Sequence, residues 1–186
     1  MKKHVIWILS LLFLNGCSST TKDLDAGMQL RAKILQSSQC SFTAQITAEY
    51  DDRLYQFTVD SKMDQSGDLY FTVIEPETIS GISGKLSGSG GEIIFDNQIL
   101  QFPMMAEDLP SPISAPWILI NTLRSGYLSS ACNEDDVYRL SMDDSYNGDD
   151  YRLDIWLDAE QFPHQADILL DGKRILTMKV SNFVIT

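Results

Sequence analysis

The chain has 186 residues, with 26 acidic against 14 basic side chains, a net charge of −12 and three cysteines. That length suits one domain with a substantial core. The charge excludes nucleic acid as a partner and leaves no basic patch for anionic headgroups.

Met1 to Gly16 read as a secretory signal: Lys2 and Lys3 form the basic flank, Val5 to Leu14 the apolar stretch, and Gly16 the small residue before a cut. The apolar stretch is about half of the roughly 20 residues that a membrane-spanning helix needs. Leu14-Asn15-Gly16-Cys17 resembles the bacterial lipobox, with Asn15 an unusual occupant of its position. In a lipobox the cysteine is diacylated on sulfur and becomes the new N-terminus, which makes Cys17 the expected lipid anchor. Acyl chains add about 0.8 kcal/mol per buried CH2, so two or three hold a protein firmly. Cleavage before Cys17 takes away sixteen of the 186 residues, leaving 170, and moves the net charge from −12 to −14 because Lys2 and Lys3 leave. The expected organisation is a signal peptide over 1–16, a lipidated tether over 17–22 and one domain over 23–186. A tether from Ser18 to Lys22 keeps that domain within about 20 Å of the bilayer.

Cys40 and Cys132 remain. In an exported protein they are a candidate disulfide, worth about 4 kcal/mol for so long a loop; two buried apolar thiols are the alternative. His164 is the one histidine of the mature chain, so neither a zinc site nor a Ser-His or Cys-His catalytic pair is expected.

"DLDAGMQLRAKILQSS" (23–38) predicts an amphipathic helix with Leu24, Met28, Ala32 and Leu35 on the buried face, although Gly27 weakens it. Strands follow. "FTAQITAEY" alternates from Phe42 to Tyr50, Asp51-Asp52 turn the chain into "RLYQFTVDSKM", and "DQSGD" turns it again into "LYFTVI". "GISGKLSGSGGEIIFDNQILQF" reads as three short strands. The next segment, "PMMAEDLPSPIS", is a Pro-rich loop with exposed methionines, and "APWILINTLRSGYL" (115–128) a helix with Pro116 in its first turn. Strands resume with "DVYRLSMD", "YRLDIWLDAE", "HQADILLDG" and "KRILTMKVSNFVI", the last two joined by Asp171-Gly172. Turns about every ten residues imply an antiparallel meander and not βαβ units.

Three motif-like stretches carry bland readings. "DDSYNGDDYRLD" places Asp143, Ser145, Asn147, Gly148 and Asp154 at EF-hand loop positions, but its flanks alternate as strands and Asp150 falls where that loop wants an apolar residue. Asn147-Gly148 is then a hairpin turn. "GISGKLSGSGG" lacks the Ser or Thr after Lys85 that a phosphate loop requires, and there is no G-x-S-x-G elbow. The expectation is a non-enzyme without metal or cofactor.

The chain as a whole resembles the LolA/LolB-like lipoprotein-carrier superfamily. "SSQCSFTAQI", "GDLYFTVIEP", "EIIFDNQILQF", "PWILINTL" and "IWLDAEQFPHQADILLDGKRILTMKVSNF" carry the resemblance. It implies an α+β fold: a curved antiparallel sheet, or incomplete β-barrel, with helices packed on its concave side over an apolar cavity. Phe57, Phe71, Met104, Met105, Trp117, Ile118, Ile120 and Leu123 are the candidate cavity and lid residues; the alternative is that they fill an ordinary core. The soluble carriers have an arginine before the strand-ending proline that latches the lid, whereas this chain has Glu75 before Pro76. "IEPETISGI" is more similar to the GerS-like germination-lipoprotein branch. Two functions follow. One is a membrane-anchored extracytoplasmic lipoprotein holding a lipid or lipoprotein acyl chain. The other is a non-catalytic regulatory lipoprotein docking an exported cell-wall enzyme. The location is the outer face of the plasma membrane, or the outer membrane where the envelope has two.

Overall fold

The computed structural model describes residues 21–186 except 51–52, 97, 107–108, 135–136 and 147–148. Helix α1 (Thr21–Gln36) leads into β1 (Gln39–Tyr50), β2 (Arg53–Asp64), β3 (Leu69–Glu75), β4 (Ser83–Ser87), β5 (Gly90–Phe95) and β6 (Gln98–Phe102). A two-strand hairpin, β7 (Met105–Ala106) and β8 (Leu109–Pro110), precedes α2 (Ala115–Ser125). Strands β9 (Tyr127–Glu134), β10 (Val137–Tyr146), β11 (Asp149–Leu157), β12 (Pro163–Leu170) and β13 (Lys173–Ile185) complete the chain.

Eleven strands form one open sheet in the order β6-β5-β4-β3-β2-β1-β13-β12-β11-β10-β9, every neighbouring pair antiparallel. With the two helices this is the expected α+β architecture, an incomplete barrel. The alternation read from the sequence sets the faces. On β1 Cys40, Phe42, Ala44, Ile46 and Ala48 are buried, and the register carries that inner face across Val59 on β2 and Val180, Met178 and Leu176 on β13. One apolar cluster joins these to Leu30 and Ile34 of α1 and to Trp117, Ile118, Leu119, Ile120 and Leu123 of α2.

The helix faces show what periodicity misses. On α1 the buried residues are Ala26, Gly27, Leu30 and Ile34, while Met28 and Leu35 are exposed, as is Ala32. The helix comes so close to the sheet that a Cβ on Gly27 would stand 3.0 Å from the Leu128 side chain and 3.2 Å from that of Leu140. Small side chains therefore meet the sheet at the closest approach, with Leu30 and Ile34 buried further along; of the expected face Leu24 packs against the core, whereas Met28, Ala32 and Leu35 turn outward. Helix α2 ends at Ser125, and residues the sequence assigns to its last turn, Tyr127 and Leu128, open β9 instead. Arg31 of α1 closes that end: its Nε donates to the Leu123 carbonyl at 2.9 Å and its guanidinium to the Gly126 carbonyl. These are carbonyls that the helix itself leaves unsatisfied, and a cation suits the negative end of its dipole.

The β2–β3 turn anchors the other side of α2. Asp64 Oδ1 accepts from the Ser66 hydroxyl at 2.6 Å and the Ser66 amide at 2.9 Å, and these bonds hold its carboxyl below the usual range. Trp117 Nε1 donates to the Gly67 carbonyl at 3.0 Å, and Arg124 to the Gln65 carbonyl at 3.3 Å.

Gly84 on β4 has no room for a side chain. A Cβ there would lie 2.1 Å from the Glu92 carbonyl oxygen and 2.6 Å from the Phe71 ring, which covers the glycine from the next strand but for which the inner face would have a gap. Gly84→Ala is expected to cost about 1–3 kcal/mol as an overpacked site. Thermal melts should show its midpoint several degrees lower. Gly88→Ala, which meets nothing closer than 3.9 Å, should melt like the parent chain. Equal melting of the two variants would contradict the close β3–β4–β5 packing.

Candidate functional site

The predicted lid residues lie in the core. Trp117 is 5% exposed, Ile118 2%, Ile120 0%, Leu123 1% and Phe71 3%. Met104 is 1% exposed, against the expectation of an exposed methionine loop. It is held there because the Ser111 amide donates to its carbonyl at 2.8 Å, folding the β7–β8 hairpin back. Met105, beside it, is half-buried. The hairpin is pinned to the sheet by Tyr50, whose hydroxyl donates to the Pro110 carbonyl and whose phenol is pushed up by burial. Phe57 alone of the aromatic candidates sits half-buried at the margin of the cluster.

Phe57 belongs to a wider apolar surface. The inner-face register runs from Ile46 to Phe57 on β2, and from Phe71 through Gly84 and Ile93 to Leu100 on β6. On that face Ile93 is half-buried, while Tyr55, Phe95 and Leu100 are exposed at 40%, 64% and 66%. The apolar inner face therefore carries exposed large side chains at two margins of the core, Tyr55 beside Phe57 on β2, and Phe95 with Leu100 on β5 and β6. Sequence reading marked Phe57 and missed Phe95 and Leu100. Their alternation with Ile94 and Ile99 makes β5 and β6 apolar on both faces, which is the signal that could have found them.

Glu75 does not act as a latch towards α2. Its Oε2 accepts from the Thr58 hydroxyl of β2 at 2.9 Å, and the Glu75–Pro76 peptide is cis. The cysteines stand as buried thiols, Cys40 on β1 and Cys132 on β9. Five strand steps separate them in the sheet order, whereas a disulfide needs Cα atoms within about 7 Å. Burial pushes the Cys40 thiol up to about 11, so it stays protonated at neutral pH.

The stretch tested for calcium forms the β10–β11 hairpin, with Asp143 opposite Arg152 and an ion pair between them at 2.9 Å. Asp154 Oδ1 accepts from Ser141 at 2.6 Å and is committed within the sheet. Asn147 and Gly148 lie outside the described residues, as does Cys17. Nearby, a depression of about 880 Å³ is lined by acidic and apolar groups together, among them Asp143, Asp144, Asp150, Tyr127, Tyr151 and Leu169. Among the described residues no group of three or more His, Cys, Asp and Glu could hold a metal ion, and no helix is long and apolar enough to cross a membrane.

No family model and no curated protein matches the chain. Solved structures are similar to it at low identity. A putative outer membrane lipoprotein-sorting protein domain from Vibrio parahaemolyticus is 11% identical with a TM-score of 0.48, over 89% of this chain and 92% of that one. A LolA superfamily protein from Nitrosomonas europaea is 9% identical with a TM-score of 0.45, over 91% and 94%. The Mycobacterium tuberculosis lipoprotein LppX is 10% identical with a TM-score of 0.42, over 88% and 96%. The structures similar to this chain thus include a member of the superfamily that its sequence resembles.

Proposed function

We propose that this chain is a non-catalytic extracytoplasmic lipoprotein, anchored through Cys17, that binds an acyl chain of a lipid or lipoprotein. The observation that carries the binding half is the inner-face apolar surface of Tyr55, Phe57, Ile93, Phe95 and Leu100, which leaves the filled core and stays open to solvent. An acyl chain laid along β2, β5 and β6 would cover it, and each large apolar side chain so buried contributes about 1.5–3 kcal/mol. Met104, Trp117, Ile118, Ile120 and Leu123 then form the packed roof against which that surface ends.

Native mass spectrometry of the full chain extracted from membranes should show a co-purifying lipid. A fluorescent fatty acid should bind the delipidated chain at least tenfold more weakly after Phe95→Asp/Leu100→Asp, and within twofold of the parent after Ile94→Asp on the outer face. A lipid-free chain whose fatty-acid affinity ignores Phe95 and Leu100 would remove the reading.

A further inference from the structure

We infer that the open edge of β6 is a docking site for an extended segment of a protein partner, apolar in its middle and basic at its ends, added as one more antiparallel or parallel strand. This goes beyond acyl-chain binding and rests on the backbone of β6 and on Ile99 of its outer face, with Leu100 alone shared with the acyl-binding surface.

An edge strand presents unpaired N–H and C=O groups, and proteins ordinarily blunt such edges with lysines, proline, bulges or a covering element. The two edges of this sheet are treated differently. At β9 helix α1 packs against the strand, with Gly27 close to Leu128. Strand β6, Gln98-Ile99-Leu100-Gln101-Phe102, carries no charge and no proline, and its register with β5 runs without a bulge from Phe95↔Gln98 to Gly91↔Phe102. Ile99 and Leu100 are 65% and 66% exposed on its two faces. Solubility alone would select against such an edge. A strand added beside it gains main-chain hydrogen bonds, and its alternate side chains cover Ile99 on one face and Leu100 on the other.

Charge selects the occupant. The chain carries −12 overall, and the acidic groups flanking the edge are Glu92 on β5, hydrogen-bonded to Gln101 at 3.3 Å, and Asp96 in the β5–β6 turn. The nearby cation, Lys85, is held by Asp68 at 2.6 Å. Beside the edge a depression of about 570 Å³, whose lining includes Lys85, Glu92, Gln101, Phe102 and Pro103, can receive a long side chain from the added strand, the Lys85 charge being met by Asp68. Lysine or arginine at the ends of the segment meets these carboxylates. A second copy of this chain would instead bring equal acidic flanks and equal net charge together.

The test uses a synthetic peptide, Lys-Lys-Val-Thr-Ile-Thr-Val-Lys-Lys, and the same peptide with glutamate ends, added to the full chain in dodecylmaltoside micelles. Amide hydrogen exchange over 98–102 should slow at least fivefold with the lysine peptide and stay unchanged with the glutamate peptide. Ile99→Lys/Gln101→Lys should weaken peptide binding at least tenfold and leave fatty-acid binding within twofold. The same charge change at Ser181→Lys/Val184→Lys should alter peptide binding less than twofold. Protection confined to other segments, such as the acidic depression by Asp143, would overturn the inference. So would equal loss in both double-lysine variants, or protection of β6 that grows with protein concentration alone and marks a second copy. Loss of fatty-acid binding without loss of peptide binding, after Tyr55→Asp/Phe57→Asp on β2, four strands from the edge, separates failure of the acyl-chain reading from failure of this one.

Discussion

Cys17→Ala is expected to release the protein from the membrane altogether. Cut before Cys17 as proposed, the chain would carry −14, with no basic patch to hold it to anionic headgroups in the absence of acyl chains. No helix among the described residues can span a bilayer in their place. One acyl chain gives only marginal, reversible binding and two give stable attachment, so attachment through Cys17 is close to all-or-none. In cells labelled with radioactive palmitate, the parent chain should carry label and sediment with membranes through a high-salt wash. Cys17→Ala should carry none, and should appear in the soluble fraction or as a precursor longer by the uncut signal. Membrane retention of an unlabelled Cys17→Ala chain, cut at the same place, would show that something else anchors it. With α1 beginning at Thr21, an anchor at Cys17 would lie at most about 14 Å of chain from the first helix. The proposed acyl-binding surface, so tethered, would be suited to receive or hold a chain at the bilayer surface rather than to carry it away.

The parts of the fold that were legible in the sequence are those set by local rules. Period-2 alternation located β1, β2 and β3, and the turn residues located the hairpins: Asp171-Gly172 joins β12 to β13 with Asp171 at φ 51° and Gly172 at φ 75°. The parts that were not legible depend on distant neighbours. Strand β9, "YLSSACNE", is half serine, alanine and cysteine, and it becomes a strand because β10 pairs it and α1 covers it. The buried face of α1 is chosen by how close Leu128 and Leu140 come, which favours Ala26 and Gly27 over Met28. Whether Met104 lines a space or fills one depends on a hydrogen bond from Ser111 that no periodicity encodes.

Trp117→Ala separates a lid that fills the core from one that lines a ligand space. The indole is 5% exposed within the apolar cluster, and its Nε1 donates to the Gly67 carbonyl at 3.0 Å. Truncation to alanine removes the ring from close packing and costs about 3–5 kcal/mol, cavity included. For a chain of this length each kcal/mol lowers the melting midpoint by about 2–4 °C, so the loss should be about 6–20 °C. Trp117→Phe keeps most of the volume and gives up the bond to Gly67, which should cost about 1 kcal/mol plus a packing defect. Fatty-acid affinity of the folded fraction should change less than twofold in both variants, because the open surface at Phe95 and Leu100 is left intact. A Trp117→Ala chain that melts within 2 °C of the parent but loses its ligand would reverse the assignment, putting the acyl chain under α2 and making the exposed margin incidental. The same pair of measurements also weighs the anchoring of α2. The Trp117 and Arg124 contacts to the β2–β3 turn and the Arg31 contacts to its C-terminal carbonyls hold the helix from two sides. A roof fixed in this way stays closed, which on the proposed reading leaves the strand margin beyond it to bind the acyl chain.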